Sequence, residues 1–429
     1  MNIPLLDPSC DCGLLGAVRA LTGIRNCIVL VHGRPGCHSG MLTLQALTSP
    51  QNLINVAYTG LRNEDLTYGG EQRLRKAILN VLEVANPELV VVCSCSAAGI
   101  MGDDVQGIVD EIKNRYGNNI DIIVIEAYGY KTKEQQIYEK TLLQLASLVK
   151  KTSTKLRNSI NIIGFRTDMP YSIGDLEEIK RIVEANNIKI NTVISYCSVR
   201  DIKNLLKAEL NVVLGGDGIL LAEYLHKEYN MPYIVVPYPY GIENTIKFIE
   251  NICHSLGIEP NWKFIEQEVK LVQEKLSKFY TFVEGIYGSV SAAIVGEGSR
   301  ITHLAKFLER ELSFLVELVV ARTSLAKKEL LENVEMIEPD RYDLENRIRE
   351  LEPDIIFGSS LERLFTIKYG IPLVRVFYPT IDEVVIFDRP IAGFRGVLTL
   401  VEKIVNELMR SQEMYELKQF ATARELGSI

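Results

Sequence analysis

The chain of 429 residues is 47% hydrophobic and 24% charged and carries a formal net charge of −8. That length exceeds what one hydrophobic core organises, so two or three globular domains are expected. No apolar run approaches the ~18 residues of a membrane span. The first seven residues lack the basic region and apolar core of a secretory leader, and an acidic chain without a basic block argues against nucleic acid as a partner. A cytoplasmic protein is expected, in which thiols stay reduced and clustered cysteines bind metal or do redox chemistry rather than form disulfides.

Six of the eight cysteines fall in the first quarter of the chain, and five of them, Cys10, Cys12, Cys37, Cys93 and Cys95, lie beside its loops and strand ends. The apolar run 27–31 predicts a strand that ends in the turn His32-Gly33-Arg34-Pro35-Gly36, presenting Cys37 at the strand's carboxyl edge. Helical spacing over 73–84 leads into a second apolar strand at 89–95, which delivers Cys95 in the same way. Gly102-Asp103-Asp104 then opens a helix over 105–116, with its acids at the positive end, and 120–125 is the next strand. The polar stretch 150–155 reads as a linker.

A second unit starts with a strand at 160–165, followed by a helix over 176–186, strands at 190–194 and 210–216, a helix over 219–229 and a strand at 232–239. The charged helical stretch 262–280 is expected to cross to a third unit, with strands at 292–298 and 354–360. Tyr229-Asn230-Met231-Pro232 through Tyr238-Pro239 is echoed by Tyr369-Gly370-Ile371-Pro372 through Tyr378-Pro379 at a constant offset of 140, as duplicated Rossmann-like units would produce. Strands alternating with amphipathic helices predict an α/β fold of parallel sheets flanked by helices. The expected domains are 1–155, 156–284 and 285–429.

Gly296-Glu297-Gly298 follows a strand, but Ile301 stands where a dinucleotide fingerprint needs its third glycine, so an ordinary strand-to-helix turn is the preferred reading. The competing reading is a Rossmann-repeat transferase using residues 296–299 at a nucleotide, with the cysteines structural. Nothing matches a phosphate loop. His38 is open to a ligand or a surface role, while His226 and His303 read as structural. Cys27, Cys197 and Cys253 sit in apolar contexts as small hydrophobes. Sites in open α/β sheets collect beyond strand C-termini, so thiols delivered there suit soft-metal chemistry. The Cys-x-Cys spacing of Cys10/Cys12 and Cys93/Cys95 departs from a zinc knuckle, and an iron–sulfur cluster is preferred.

Cys12-Gly13 with Gly16 and Ala17, Val31-His32-Gly33-Arg34-Pro35-Gly36-Cys37, Glu64-Asp65 with Tyr68-Gly69-Gly70-Glu71, and Cys95 with Ile100-Met101-Gly102-Asp103-Asp104 resemble the component 1 family of nitrogenase. That family includes the nitrogenase α and β chains, the scaffold chains that build the cofactor, and protochlorophyllide reductase-like proteins. The similarity continues through Pro353-Asp354-Ile355-Ile356-Phe357-Gly358-Ser359 and Gly393-Phe394-Arg395-Gly396. The separations of Cys12, Cys37 and Cys95, 25 and then 58 residues, look most like the β-type chain.

The resemblance implies three Rossmann-like domains. It also implies an iron–sulfur cluster, 4Fe-4S or P-cluster-like, held by Cys12, Cys37 and Cys95, with Cys10 and Cys93 as additional candidates. A second component 1-type chain would pair with this one, as a homo- or heteromer, and supply the missing cluster ligand. An ATP-dependent iron protein would donate electrons, in keeping with the missing phosphate loop. The stretches that match the α chain's cofactor ligands read Leu214-Gly215-Gly216-Asp217 and Ile391-Ala392-Gly393, without the cysteine or histidine that hold the cofactor there. Together with a start only eleven residues before Cys12, this suggests a β-type or nitrogenase-like oxidoreductase subunit. Electrons would then pass to a substrate or second metallocluster in the crevice between domains. The alternatives are a non-catalytic scaffold chain and a tetrapyrrole reductase subunit.

Overall fold

The structure is a computed structural model describing residues 12–48, 54–117, 120–287, 289–322, 335–337 and 341–425. The first unit comprises α1 (Gly13–Leu21), β1 (Cys27–His32), α2 (Pro35–Thr48), β2 (Asn55–Tyr58), α3 (Glu71–Ala85), β3 (Leu89–Ser94), α4 (Ser96–Met101), α5 (Val105–Tyr116), β4 (Asp121–Glu126) and α6 (Glu134–Gln144). Its parallel sheet has the order β2-β1-β3-β4. Both central strands are buried along their whole length, which is why they read as continuous apolar runs rather than alternating ones.

The second unit holds β5 (Ser159–Ile163), α7 (Ser172–Ala185), β6 (Lys189–Val193), β7 (Leu210–Leu214), α8 (Ile219–Tyr229), β8 (Tyr233–Val236) and α9 (Gly241–Leu256), with the parallel order β8-β7-β5-β6. The long helix α10 (Trp262–Tyr287) follows. The third unit holds β9 (Ser291–Gly296), α11 (Gly298–Leu312), β10 (Leu315–Ala321), β11 (Glu335–Ile337), α12 (Arg341–Leu351), β12 (Ile355–Gly358), α13 (Arg363–Tyr369) and β13 (Leu373–Arg375). Its parallel order is β11-β10-β9-β12-β13. Helix α14 (Gly393–Glu425) returns to pack on α7, α9 and α10 of the preceding segment. A short parallel pairing of Ile24–Arg25 with Cys197–Ser198 ties the first unit to the second.

The echo at offset 140 is a structural repeat. In both copies a helix ends in a left-handed residue, Asn230 (φ 53°) or Gly370 (φ 76°), followed by a proline, an edge strand and a Tyr-Pro pair. The corresponding helix–turn–strand segments therefore bring Tyr238 and Tyr378 to equivalent sheet edges. Among the described residues no helix is long and apolar enough to cross a membrane.

Candidate functional site

The expected turn after β1 is in fact the first turn of a helix. Pro35 opens α2, a position where its missing N–H costs nothing, and Cys37 lies two residues further in, its N–H donating to the Arg34 carbonyl at 3.1 Å. Cys95 is the N-cap of α4, and its N–H donates to the His32 carbonyl at 3.0 Å. Cys12 is the N-cap of α1. Three separate chain segments thus deliver Cys12, Cys37 and Cys95 to one edge of the first sheet.

The thiols of Cys37 and Cys95 are in hydrogen-bonding contact, and Cys12 lies within electrostatic reach of both. Cys95 is only 4% exposed, whereas Cys37 is exposed. The bond from the Cys95 thiol, opposed by burial and aided by Arg34, draws Cys37 down to about 6, so Cys37 is the group that ionises. The same bond and burial drive Cys95 upward. Burial also raises Cys12, with backbone N–H groups of Leu15 and Leu14 opposing. A Cβ at position 33 would sit 2.8 Å from the Cys95 sulfur, so Gly33 is required by close approach.

A buried polar brace holds these loops. His32 is fully buried, with Nε2 at 2.9 Å from Asp103 Oδ2 and Nδ1 at 3.1 Å from Thr59 Oγ1. Asp103 also accepts the Gly70 N–H at 3.0 Å. The glycine and aspartate motifs at 69–70 and 102–104 thereby support the thiol loops rather than bind a ligand themselves.

Among the described residues no group of three or more histidine, cysteine, aspartate or glutamate side chains could hold a single metal ion. The donor set present is three thiols, one already biased toward thiolate and one receiving backbone N–H groups. That chemistry fits a multinuclear iron–sulfur group better than a lone ion. Cys93 points into the core beside Cys27 and is pushed up to about 12 by burial. Cys10 lies outside the described residues. Cys27, Cys197 and Cys253 are buried small hydrophobes as expected. His38 stacks on Tyr58 at 4.1 Å and its Nε2 lies 3.3 Å from the Val56 carbonyl.

Sequence reasoning passed over a second polar centre, where the three sheets meet. Arg19 is a lone cation in the otherwise apolar, wholly buried α1. Its guanidinium donates to Asp168, to Glu134 Oε1 at 3.2 Å and to Glu297 Oε1 at 2.8 Å, and lies 3.8 Å from the centre of the Tyr378 ring. Arg166 pairs with Asp217 at 2.8 Å over the Tyr138 ring, and Arg300 lies over the Tyr238 ring at 4.0 Å. Both repeat tyrosines therefore carry a buried guanidinium. Glu297 serves this centre, and a Cβ at Gly296 would strike the Phe377 ring, so the Gly296-Glu297-Gly298 turn is a packing device. The one available signal was a charged residue at the centre of an apolar helical face.

Three parallel sheets with thiols gathered at one edge of the first define a class of α/β chain suited to carrying a soft metal centre. The chain belongs to the family described as Nitrogenase component 1 type Oxidoreductase, which matches residues 12–409. It is 26% identical to the nitrogenase iron-iron protein beta chain of Rhodobacter capsulatus, covering 97% of this chain and 96% of that one. It is 25% identical to a light-independent protochlorophyllide reductase chain from Chaetosphaeridium globosum, covering 95% and 84%. It is 28% identical to the nitrogenase iron-molybdenum cofactor biosynthesis protein NifE of Clostridium pasteurianum, covering 84% and 80%. The solved structure of nitrogenase Cp1 at pH 6.5 superposes with a TM-score of 0.85 at 21% identity, covering 96% of this chain and 95% of that one, a likeness of fold.

Proposed function

We propose that this chain is a β-type subunit of a nitrogenase-like oxidoreductase, with Cys12, Cys37 and Cys95 holding an iron–sulfur cluster of 4Fe-4S or P-cluster type. The observation that carries the reading is the meeting of three thiols from three separate segments. When bound, such a cluster accepts and releases single electrons. The residues themselves do three things. Cys37 supplies the readily ionised thiol, the N–H groups of Leu14 and Leu15 face the Cys12 sulfur, and the His32–Asp103 brace keeps the loops at fixed spacing.

In this reading a second component 1-type chain covers the exposed Cys37 side, and an ATP-dependent iron protein delivers electrons in the cytoplasm. The relatives support it, being chains named for nitrogenase and for light-independent protochlorophyllide reductase. The chain would be organised as domains 1–155, 156–284 and 285–429. The stretches expected to face a cofactor cavity lie in packed surroundings. Asp217 is paired with Arg166, and the Ile391 and Ala392 N–H groups donate to Asp175 at 2.7 and 2.8 Å. That favours a relay chain whose partner carries the reacting centre.

A scaffold role in cofactor assembly is the second reading, favoured by the likeness to NifE. The test is anaerobic purification with assay of iron and labile sulfide, followed by single-turnover reduction with an iron protein. A colourless, iron-free protein would refute the cluster. A loaded protein that hands its metallocluster to an acceptor but never cycles electrons would support the scaffold.

A further inference from the structure

The polar centre between the three sheets contains three guanidinium groups, Arg19, Arg166 and Arg300, exposed by 4, 1 and 2%. Four carboxylates stand against them, Glu134, Asp168, Asp217 and Glu297, none more than 4% exposed. The count leaves one anion in excess, and Glu139 and Asp175 at the margin add to it whenever they ionise. An uncompensated charge in the interior is costly, a further negative charge at the neighbouring thiol site adds to that cost, and one proton then removes it. Among the described residues Glu134 Oε2 and Glu297 Oε2 have no hydrogen-bond partner, so a proton there would break no existing hydrogen bond.

Glu134 is the one that faces the thiols. It opens α6, which crosses α1 so closely that a Cβ on Gly16 would strike the Glu134 carbonyl. Its charge is felt at the Cys12 thiol, at the head of α1, and Cys12 in turn feels Cys37. Facing Glu134 are Arg19 from α1, Arg166 and Asp168 from the segment after β5, Glu297 before α11, and the Tyr378 ring. Tyr138 and Glu139 follow on its own helix, and Asp217 lies beyond Arg166.

We propose that Glu134 takes up a proton when the thiol site gains an electron, keeping the buried centre near neutrality. The inference rests on the cluster reading above. One electron from a low-potential iron–sulfur donor or dithionite enters the cluster, and one proton leaves a solvent hydronium, whose O–H bond breaks, and ends on Glu134 Oε2, where an O–H bond forms. Burial already holds this carboxyl above its ordinary value, against Arg19 and Arg166 and with Glu297 and Asp168 assisting. Linkage makes the effect reciprocal, so protonation of Glu134 favours the reduced site.

The test uses the cluster-loaded protein with its partner chain, titrated anaerobically with the cluster's paramagnetic resonance as readout. The wild-type midpoint potential should fall with rising pH, by up to a tenfold change in equilibrium constant per pH unit, about 59 mV for one electron. Redox-difference infrared spectra should show a carboxylic acid C=O band appearing on reduction. Glu134→Gln should load iron normally yet lose both the slope and the band, and Glu134→Asp should restore part of the slope. A pH-independent wild-type potential, or an unchanged band in Glu134→Gln, overturns the proposal while the cluster reading stands. Iron-free wild-type protein overturns both. Should Glu134→Gln fail to load, Glu297→Gln decides: a retained band supports Glu134, and a lost band assigns the proton to Glu297 and overturns the proposal.

Discussion

Cys37 and Cys95 illustrate how one contact differentiates two identical side chains. The shared hydrogen bond and the unequal burial place the negative charge on the exposed member, where Arg34 stabilises it. Replacing Cys12, Cys37 or Cys95 by alanine should lower iron from about four per chain toward none, while Cys197→Ala and Cys253→Ala should leave iron unchanged. Metal analysis of the five variants checks this, and equal loss in both groups would show the ligand assignment to be wrong. Gly33→Ala tests the same geometry sterically. Its added methyl must displace the Cys95 sulfur, so a stability loss of about 1–3 kcal/mol and reduced iron occupancy are expected from urea unfolding and metal assay. Normal occupancy would mean that Cys95 needs no fixed position.

At the level of elements, α1 carries the thiol of Cys12 at one end and the Arg19 hub near the other. Arg19→Met should cost about 3–5 kcal/mol, because it strands three buried carboxylates rather than removing a balanced pair. By contrast, removing Arg75, in an exposed pair with Glu111, should leave urea unfolding unchanged. Helix α6 adds a pH dependence through Glu139, which accepts the N–H groups of Gly218 and Leu220 at the start of α8. Burial, with Asp217 nearby, raises Glu139 to about 7. Between its ordinary value and about 7 the folded chain holds more protons here than the unfolded chain. This contribution is therefore present at low pH and lost as pH rises through about 7, on the order of 3 kcal/mol. His32, held below its ordinary value by burial, acts in the opposite sense, so the variant difference is the clean measure. Unfolding free energies at about pH 5 and about pH 8 should show Glu139→Gln gaining on the wild type as pH rises, and a constant difference would refute the assignment.

Across the whole molecule, the unit that carries the thiols also exposes apolar side chains. Leu42 and Leu47 lie on the helix of Cys37, and Tyr58, Leu66, Tyr68 and Ile100 belong to the same unit. Farther along the chain, Val384, Ile386 and Phe387 are also exposed, on a segment pinned by Arg375 to Asp382 and by Tyr171 and Lys403 to Glu383. With three family-matched cysteines for a four-iron cluster, pairing is expected to supply the last ligand and cover this surface. Anaerobic native mass measurement should show dimers or larger even assemblies. A stable monomer with an intact cluster would make every ligand local and move Cys10 and Cys93 from additional candidates to the centre of the site. The purified chain should also show no ATP hydrolysis until an iron protein is added, and hydrolysis by the chain alone would contradict the division of labour.

Local pattern was enough for most strands, the helix over 105–116 and the three thiol segments, because apolar strands and their glycine turns are written in neighbouring residues; the strands Asn55–Tyr58 and Leu315–Ala321 went unread. The repeat at offset 140 was legible for the same reason, since a helix end, a proline and an edge strand are consecutive in the chain. The start of α2 at Pro35 was missed because a Gly/Pro cluster reads equally as a turn or as a first helical turn. Which thiol ionises depended on a contact between residues 58 positions apart. The ionic centre was invisible for a stronger reason. Arg19, Glu134, Asp168 and Glu297 are individually ordinary, and only the packing of three sheets removes them from water together, where their charges must answer one another.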